Sequence, residues 1–307
     1  CIDNDMTRSV TLLLITLLFA SLWADQSVAA APASTAAAPT TFRAVYDGDY
    51  NGLPVRAEGI RELQRVEDDR YLLTATARSF LATITEQTLF VWSSDGQLVP
   101  LEYQYHREGI GKNRHAILNF DWAKQRVRND VESKPWYMDI PTGALDKLSY
   151  QLQMRQDLIA RYRDATTGST TAPFLKYQIA DGGKLKDYQF EIQGDEWIET
   201  PIGHIDTVKL IRARQNSRRS TTFWLAKEWQ FLLVRLQQSD SKGDGFELLL
   251  KEAEIGGKTV TGLSELARAR ATRPSAERPS ADPPSAERPS VARPSAERPS
   301  VARPTHN

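Results

Sequence analysis

The densest chemical signal is a run of oxygen-bearing side chains near the start of the chain. Asp47, Asp49 and Asn51 alternate, Gly52 follows, and Glu58 stands twelfth counting from Asp47. That is the donor order of a calcium loop, in which a hard cation takes oxygens at positions one, three, five and twelve. The flanks fit the motif poorly. Residues 41–46 alternate like a strand, residues 55–66 also look extended, and Pro54 removes a backbone N–H from the eighth position. A polar hairpin turn uses the same residue types. Asp47, Asp49, Asn51 and Glu58 therefore stand as a secondary candidate for a metal site.

Other chemistries find less support. The four histidines, His106, His115, His204 and His306, have no ligand spacing on a helix. His106 and His115 flank a glycine turn and could face each other across a hairpin, but two imidazoles make an incomplete site. There is no G-x-S-x-G nucleophile elbow. Gly109-Ile110-Gly111-Lys112 lacks both the spacing of a phosphate loop and its following Ser or Thr. Asp68 and Asp69 are adjacent, so in a strand they point apart. The reading is no catalytic residues and no cofactor, with an envelope hydrolase built on unrecognised carboxylates as the alternative.

Aromatic residues offer a different kind of site. Trp92, Tyr103, Tyr105 and Trp224 are candidates to line a concavity for a lipid or other apolar ligand, with Tyr103 and Tyr105 on one strand face beside Leu101. Filling an ordinary core is the competing role for such side chains. Arg212, Arg214, Arg218 and Arg219 form the one dense basic run of the domain, between two expected strands. A solvated loop is the default there, and contact with anionic head groups the alternative.

These residues must be positioned by strands. Residues 71–77, 83–92, 98–106, 115–120, 177–179, 188–192, 208–211, 221–225, 232–236 and 246–250 alternate or are β-rich. Asp95-Gly96 and Asp181-Gly182 are hairpin signals between such runs. Short connections imply antiparallel pairing. Leu145, Leu148, Leu152 and Ile159 give one helical stretch between residues 144 and 163, with Asp146 in its first turn. The expected fold is mainly β: a curved antiparallel sheet, wrapped as a half-barrel or β-spiral, with one inserted α-helix on its concave side.

The chain has 307 residues, zero formal net charge, 40% hydrophobic and 25% charged residues. These values are close to the globular norm and point to no nucleic-acid partner. Met6-Thr7-Arg8, an apolar run over residues 10–23 and the small residues Val28-Ala29-Ala30 have the order of a signal peptide cleaved after Ala30. The run is shorter than the roughly 20 residues of a spanning helix, so no transmembrane span is expected after cleavage. Residues 1–5 read as an upstream extension, and the expected location is the periplasm. Cleavage would remove Cys1, the single cysteine, and with it any thiol chemistry.

Residues 31–41 read as a flexible leader, 42–262 as the folded domain and 263–307 as a disordered tail. In the tail, pentapeptides such as Arg273-Pro274-Ser275-Ala276-Glu277 recur. A proline every fifth residue blocks helix and sheet, and the repeat has little to bury. From Arg268 onward eight arginines face four acids.

The segments Tyr46 to Gly59, Tyr103-Gln104-Tyr105, Phe120-Asp121-Trp122, Gly143 to Leu152 and Thr221 to Arg235 together resemble the bacterial domain-of-unknown-function 3108 family. The resemblance spans roughly residues 42–262 and leaves out the repeat tail. It implies a signal-bearing, periplasmic, β-rich protein without an assigned reaction, and it supplies no catalytic residues. The functional expectation is a non-enzymatic periplasmic protein whose partner is a lipid, another apolar ligand or an envelope protein.

Overall fold

The computed structural model describes residues 37–51, 53–165, 173–213, 220–239 and 245–272. The expected signal segment, most of the leader, the repeats from 273 and Arg214, Arg218 and Arg219 lie outside them. The chain divides at Gly262 into two units.

The first unit is one large antiparallel sheet. Its N-terminal half is a meander of eight strands: β1 (Phe42–Asn51), β2 (Leu53–Arg65), β3 (Arg70–Arg78), β4 (Ala82–Trp92), β5 (Leu98–Gly109), β6 (Arg114–Asp121), β7 (Arg126–Val131) and β8 (Lys134–Asp139). Helix α1 (Ser149–Ala165) follows. A second meander comprises β9 (Phe174–Asp181), β10 (Lys184–Thr200), β11 (Gly203–Ala213), β12 (Ser220–Ala226), β13 (Leu232–Ser239) and β14 (Gly245–Ile255), with the two-residue β15 (Lys258–Thr259) on β14. The meanders join through β1 and β14, so the spatial order runs from β8 down to β1, then from β14 down to β9. The expected mainly β fold, with a curved sheet and an inserted helix, is what the chain forms.

Bulges help to curve the sheet. Leu101, Gln193, Val234 and Lys251 are extra residues opposite single partners on the neighbouring strands. Each bends its strand and increases the local twist. Leu101 also shifts the alternation of β5: Leu98 and Pro100 are buried before it, Tyr103 after it. Tyr103 and Tyr105 share a face as expected, while Leu101 is the unpaired bulge residue that precedes them, where the period of two is interrupted.

The curvature brings the two ends of the sheet close. The β9–β10 turn passes against Trp136 of β8, where a Cβ on Gly183 would lie 2.3 Å from the indole nitrogen. Leu145 runs beside β9 as a short parallel bridge, donating to the Gln178 carbonyl at 2.9 Å and accepting from Ala180 N at 2.8 Å. That pairing covers part of one free edge. On β8 the edge carries Pro135, which offers no N–H to a passing strand.

Helix α1 lies inside this wrapped sheet. Tyr150, Leu152, Gln153, Met154, Arg155 and Leu158 are all buried, so no apolar stripe distinguishes one face of its first three turns. The helix begins at Ser149 and not at Ala144. Leu145 is therefore strand-like, and Asp146 lies before the helix. The second unit contains α2 (Glu265–Ala271), capped by the Ser264 hydroxyl accepting from Ala267 N. The start of the expected tail is thus helical. Among the described residues, no helix is long and apolar enough to cross a membrane.

The sheet ends meet around Gly183, whose φ is 75°. Gly183→Ala would strain this conformation and drive a methyl group into Trp136. The expected cost is about 1–3 kcal/mol in urea unfolding, and a variant as stable as wild type would show that the seam is loose.

Candidate functional site

Strand register defines one wall of the interior. Glu86 pairs with Tyr105, Tyr105 with Ala116, and Ala116 with Val131, which places one row on the inner face of β4 to β7. A parallel row runs from Thr88 through Tyr103 and Leu118 to Asn129 and Trp136. Opposite lie the entry to α1 and the β9–β10 turn. Between them is a cavity of about 260 Å³, walled by Tyr103, Tyr105, Leu118 and Val131 on one side and by Lys147 and Asp181 on the other. The exposed residues Arg114, His115 and Glu132 also line it.

The helix entry is built from a reciprocal cap. Asp146 Oδ1 accepts from Leu148 N and Ser149 N, each at 2.8 Å, while Ser149 Oγ accepts from Asp146 N at 2.9 Å. The Thr88 hydroxyl donates to the same carboxylate at 2.9 Å, fixing the cap to β4. This is capping-box logic with serine in the returning position. It aims Lys147, the next residue, at the tyrosines. Its ammonium lies 4.9 Å from the Tyr105 ring centre and 5.7 Å from that of Tyr103, with Asp181 Oδ1 at 3.9 Å. Asp181 is held from its other side by Lys186 at 2.6 Å. A cation over two ring faces gains from their quadrupoles.

Tyr103 Oη has the Glu86 carboxylate beside it, while two buried oxygens here, Asn129 Oδ1 and Asp146 Oδ2, lack partners among the described residues. Such atoms normally find water or ligand. Burial pushes the Tyr103 hydroxyl well above its ordinary range, and the negative Glu86 and Asp146 add to the shift. Burial also raises the Asp146 carboxyl, against the opposing pull of the Ser149 and Leu148 amides and the Thr88 hydroxyl. Glu86 is raised by burial first, with Lys147 and Arg61 drawing it down and Asp146 pushing it up.

The structure brings together two of the four aromatic candidates. Tyr103 and Tyr105 wall the cavity. Trp92 pairs with Leu98 at the far end of β4, away from it. Trp224 alternates with the interior residues Phe223 and Leu225, and is covered by Lys209 and Arg235 while its indole nitrogen donates to Glu196 at 3.0 Å. His106 and His115 do meet as cross-strand partners, rings 5.7 Å apart. Asp47 and Glu58 are direct partners in the β1–β2 hairpin. Asp47 also lies 3.4 Å from Lys251, and Asp49 pairs with Arg56. The Asn51 side chain and Gly52 lie outside the described residues. Among those described, no group of three or more His, Cys, Asp or Glu is placed to hold a metal.

The sequence reading missed Lys147, Asp181 and Glu86 as parts of a site. Asp146-Lys147-Leu148-Ser149 carries a cap signature that would have located Lys147. Glu86 shares the alternating phase of Thr88 and Phe90, which would have turned it inward.

The family described as a protein of unknown function (DUF3108) matches residues 45–251. The chain belongs to this family. No curated protein matches it in sequence. Among solved structures, a beta-barrel-like protein of domain of unknown function DUF1849 from Brucella abortus is similar at 10% identity. It covers 71% of this chain and 98% of its own, with a TM-score of 0.46. MucB in complex with MucA(peri) and the MucA/MucB complex of Pseudomonas aeruginosa are similar at 11% and 10% identity. Each covers 71% of this chain and 90% of its own, with TM-scores of 0.12 and 0.11. The fold of this DUF3108 member rests on its own strand pairing.

Folding raises the pKa of both Glu86 and Asp146, so the native state holds these protons more tightly than the unfolded chain. Their contribution to stability is full below about pH 4, the unfolded carboxylate range, and is lost as pH rises through the folded values. Glu86→Gln removes one such group. Its urea midpoint should fall less than that of wild type between about pH 4 and neutrality, and an unchanged pH slope would refute the burial of this carboxyl.

Proposed function

We propose that this DUF3108 protein is an exported, periplasmic, non-enzymatic binding protein that takes the apolar or aromatic end of a ligand into the cavity beside Tyr103 and Tyr105. The cavity carries the reading. At about 260 Å³ it falls just under the usual small-molecule range of roughly 300–1,000 Å³. That size suits the end of an acyl chain or one large side chain of a protein, and not a whole diacyl lipid. Leu118, Val131 and the tyrosine rings supply the apolar contact. Lys147, Arg114 and His115 supply donors for a polar or anionic portion nearer the solvent.

Hydrolysis has less geometric support. Glu86 and Asp146 are the raised acids of this region, but Asp181 and Glu132 are the acids that line the cavity. Asp181 is already engaged by two lysines. A general acid must reach its substrate atom directly or through one water. Export is supported by the order of charge, apolar run and small residues over residues 6–30.

Native mass spectrometry of protein taken from the periplasm tests the reading. A co-purifying small molecule or peptide is expected with wild type. Ala116→Trp, which places an indole between Tyr105 and Val131, should lose it and should bind a fluorescent naphthylamine probe at least about tenfold more weakly. A consistently bare wild-type mass with no probe binding would overturn the proposal.

A further inference from the structure

Two turns meet at one end of the sheet, on the β3–β4 and β5–β6 connections. Ile110 N donates to the Leu81 carbonyl at 2.7 Å. Gly109 makes this approach possible: its φ is 122°, and a Cβ there would lie 2.4 Å from the Leu81 oxygen. Each turn is also tied internally. Ser79 Oγ accepts from Leu81 N and Ala82 N, each at 3.2 Å, and the Arg107 guanidinium donates to the Ile110 and Lys112 carbonyls at 2.8 and 2.7 Å.

This backbone frame displays two apolar side chains to solvent. Phe80 is 77% exposed and Ile110 68% exposed, and Phe80 is the most exposed large apolar residue among those described. Scattered single apolar residues are ordinary on a surface, but these two stand on adjoining turns joined by the Ile110–Leu81 hydrogen bond and so form a pair. The surrounding charge is mixed with a basic excess, since Glu58 stands opposite Arg78 and Glu132 accepts from His115 N beside Arg114. Over residues 78–82 and 107–114, Arg78, Arg107, Lys112 and Arg114 face the single acid Glu108. Glu108 is already engaged by His106 Nε2 at 2.7 Å. Arg78, Lys112 and Arg114 are exposed.

We propose that this tip docks on an anionic bilayer face, with Phe80 and Ile110 entering the headgroup–acyl boundary and Arg78, Lys112 and Arg114 meeting lipid phosphates. The chemistry is that of interfacial anchoring: a small apolar wedge beside cations, each side adding to the affinity. A protein partner fits the same surface less well. Two side chains offer far less than the roughly 800 Å² per partner of a stable protein interface. A bilayer needs no shaped complement. The apolar wedge of Phe80 and Ile110 stands apart from the cavity lining, whereas Arg114 belongs to both surfaces.

Co-sedimentation with phosphatidylethanolamine vesicles, with and without phosphatidylglycerol, tests the proposal. Wild type should bind the phosphatidylglycerol-containing vesicles, and added salt should weaken binding. The Phe80→Ser/Ile110→Ser pair should bind at least about tenfold more weakly, with unchanged circular dichroism and unchanged naphthylamine-probe binding. Arg78→Gln/Lys112→Gln, which leaves the cavity lining intact, should reduce the dependence on phosphatidylglycerol. As a direct readout, Phe80→Trp should gain fluorescence that brominated acyl chains quench. Absent wild-type binding, a double variant that binds like wild type, or an unquenched tryptophan would each overturn the proposal. So would self-association abolished by Phe80→Ser without any vesicle binding, which would assign the tip to a second copy of this chain.

Discussion

Enclosing a polar helix is the constraint on which this structure turns. Helix α1 carries Gln151, Gln153, Arg155 and Asp157 into the interior of the wrapped sheet, where an unpaired polar group is costly. Each finds its partner on a different part of the sheet. Gln151 accepts from Arg61 of β2 at 2.6 Å, Gln153 from Leu98 N of β5 at 2.9 Å, and Asp157 from the Tyr177 hydroxyl of β9 at 2.7 Å. Arg155 donates to the Gln230 carbonyl at 3.1 Å and lies 4.5 Å from the centre of the Phe42 ring. Ladder hydrogen bonds join only neighbouring strands. The helix links strands from both meanders and so fixes the curvature that the bulges permit.

Arg155 shows how far this arrangement departs from a simple oily core. Its burial lowers the guanidinium pKa to about 10, which leaves it charged near neutrality, and one of its nitrogens has no partner among the described residues. Nearby, burial raises the Tyr46 hydroxyl to about 12 while that hydroxyl donates to the Leu233 carbonyl at 3.0 Å. The sheet interior is therefore organised by directional bonds as well as by apolar area. Directional bonds favour one orientation of the helix over others that bury a similar surface. They also set the position of Lys147, and with it the cavity.

Legibility in the sequence followed the physics of each element. Strands with one wet face, such as β3, β4 and β9, alternate clearly and were readable. The β7–β8 hairpin was not: Arg126 to Val131 is mostly polar, Asn129 is buried, and the turn uses Glu132 and Ser133 at positive φ in place of glycine. β10 runs from Lys184 to Thr200, but its bulge at Gln193 and its exposed middle hid all but a short apolar core. The helix was found by its leucines, yet its start was displaced, because Leu145 serves β9 and not the helix. Of the site, the two tyrosines were legible as aromatics on one face. Lys147 and Asp181 were not, because their proximity arises from the closing of the sheet and not from local spacing.

The pairing of β1 with β14 has a temporal consequence. Phe42 sits opposite Ile255, and Asn51 opposite Gly245. The strand nearest the N-terminus of the domain thus has one edge satisfied at once by β2, and the other only after some two hundred further residues exist. Until then that edge is an open row of amides and carbonyls, a template for any passing strand. Contacts so distant in sequence also form slowly. Any folding that starts from the N-terminal meander therefore leaves a half-sheet with an unprotected flank until β14 arrives.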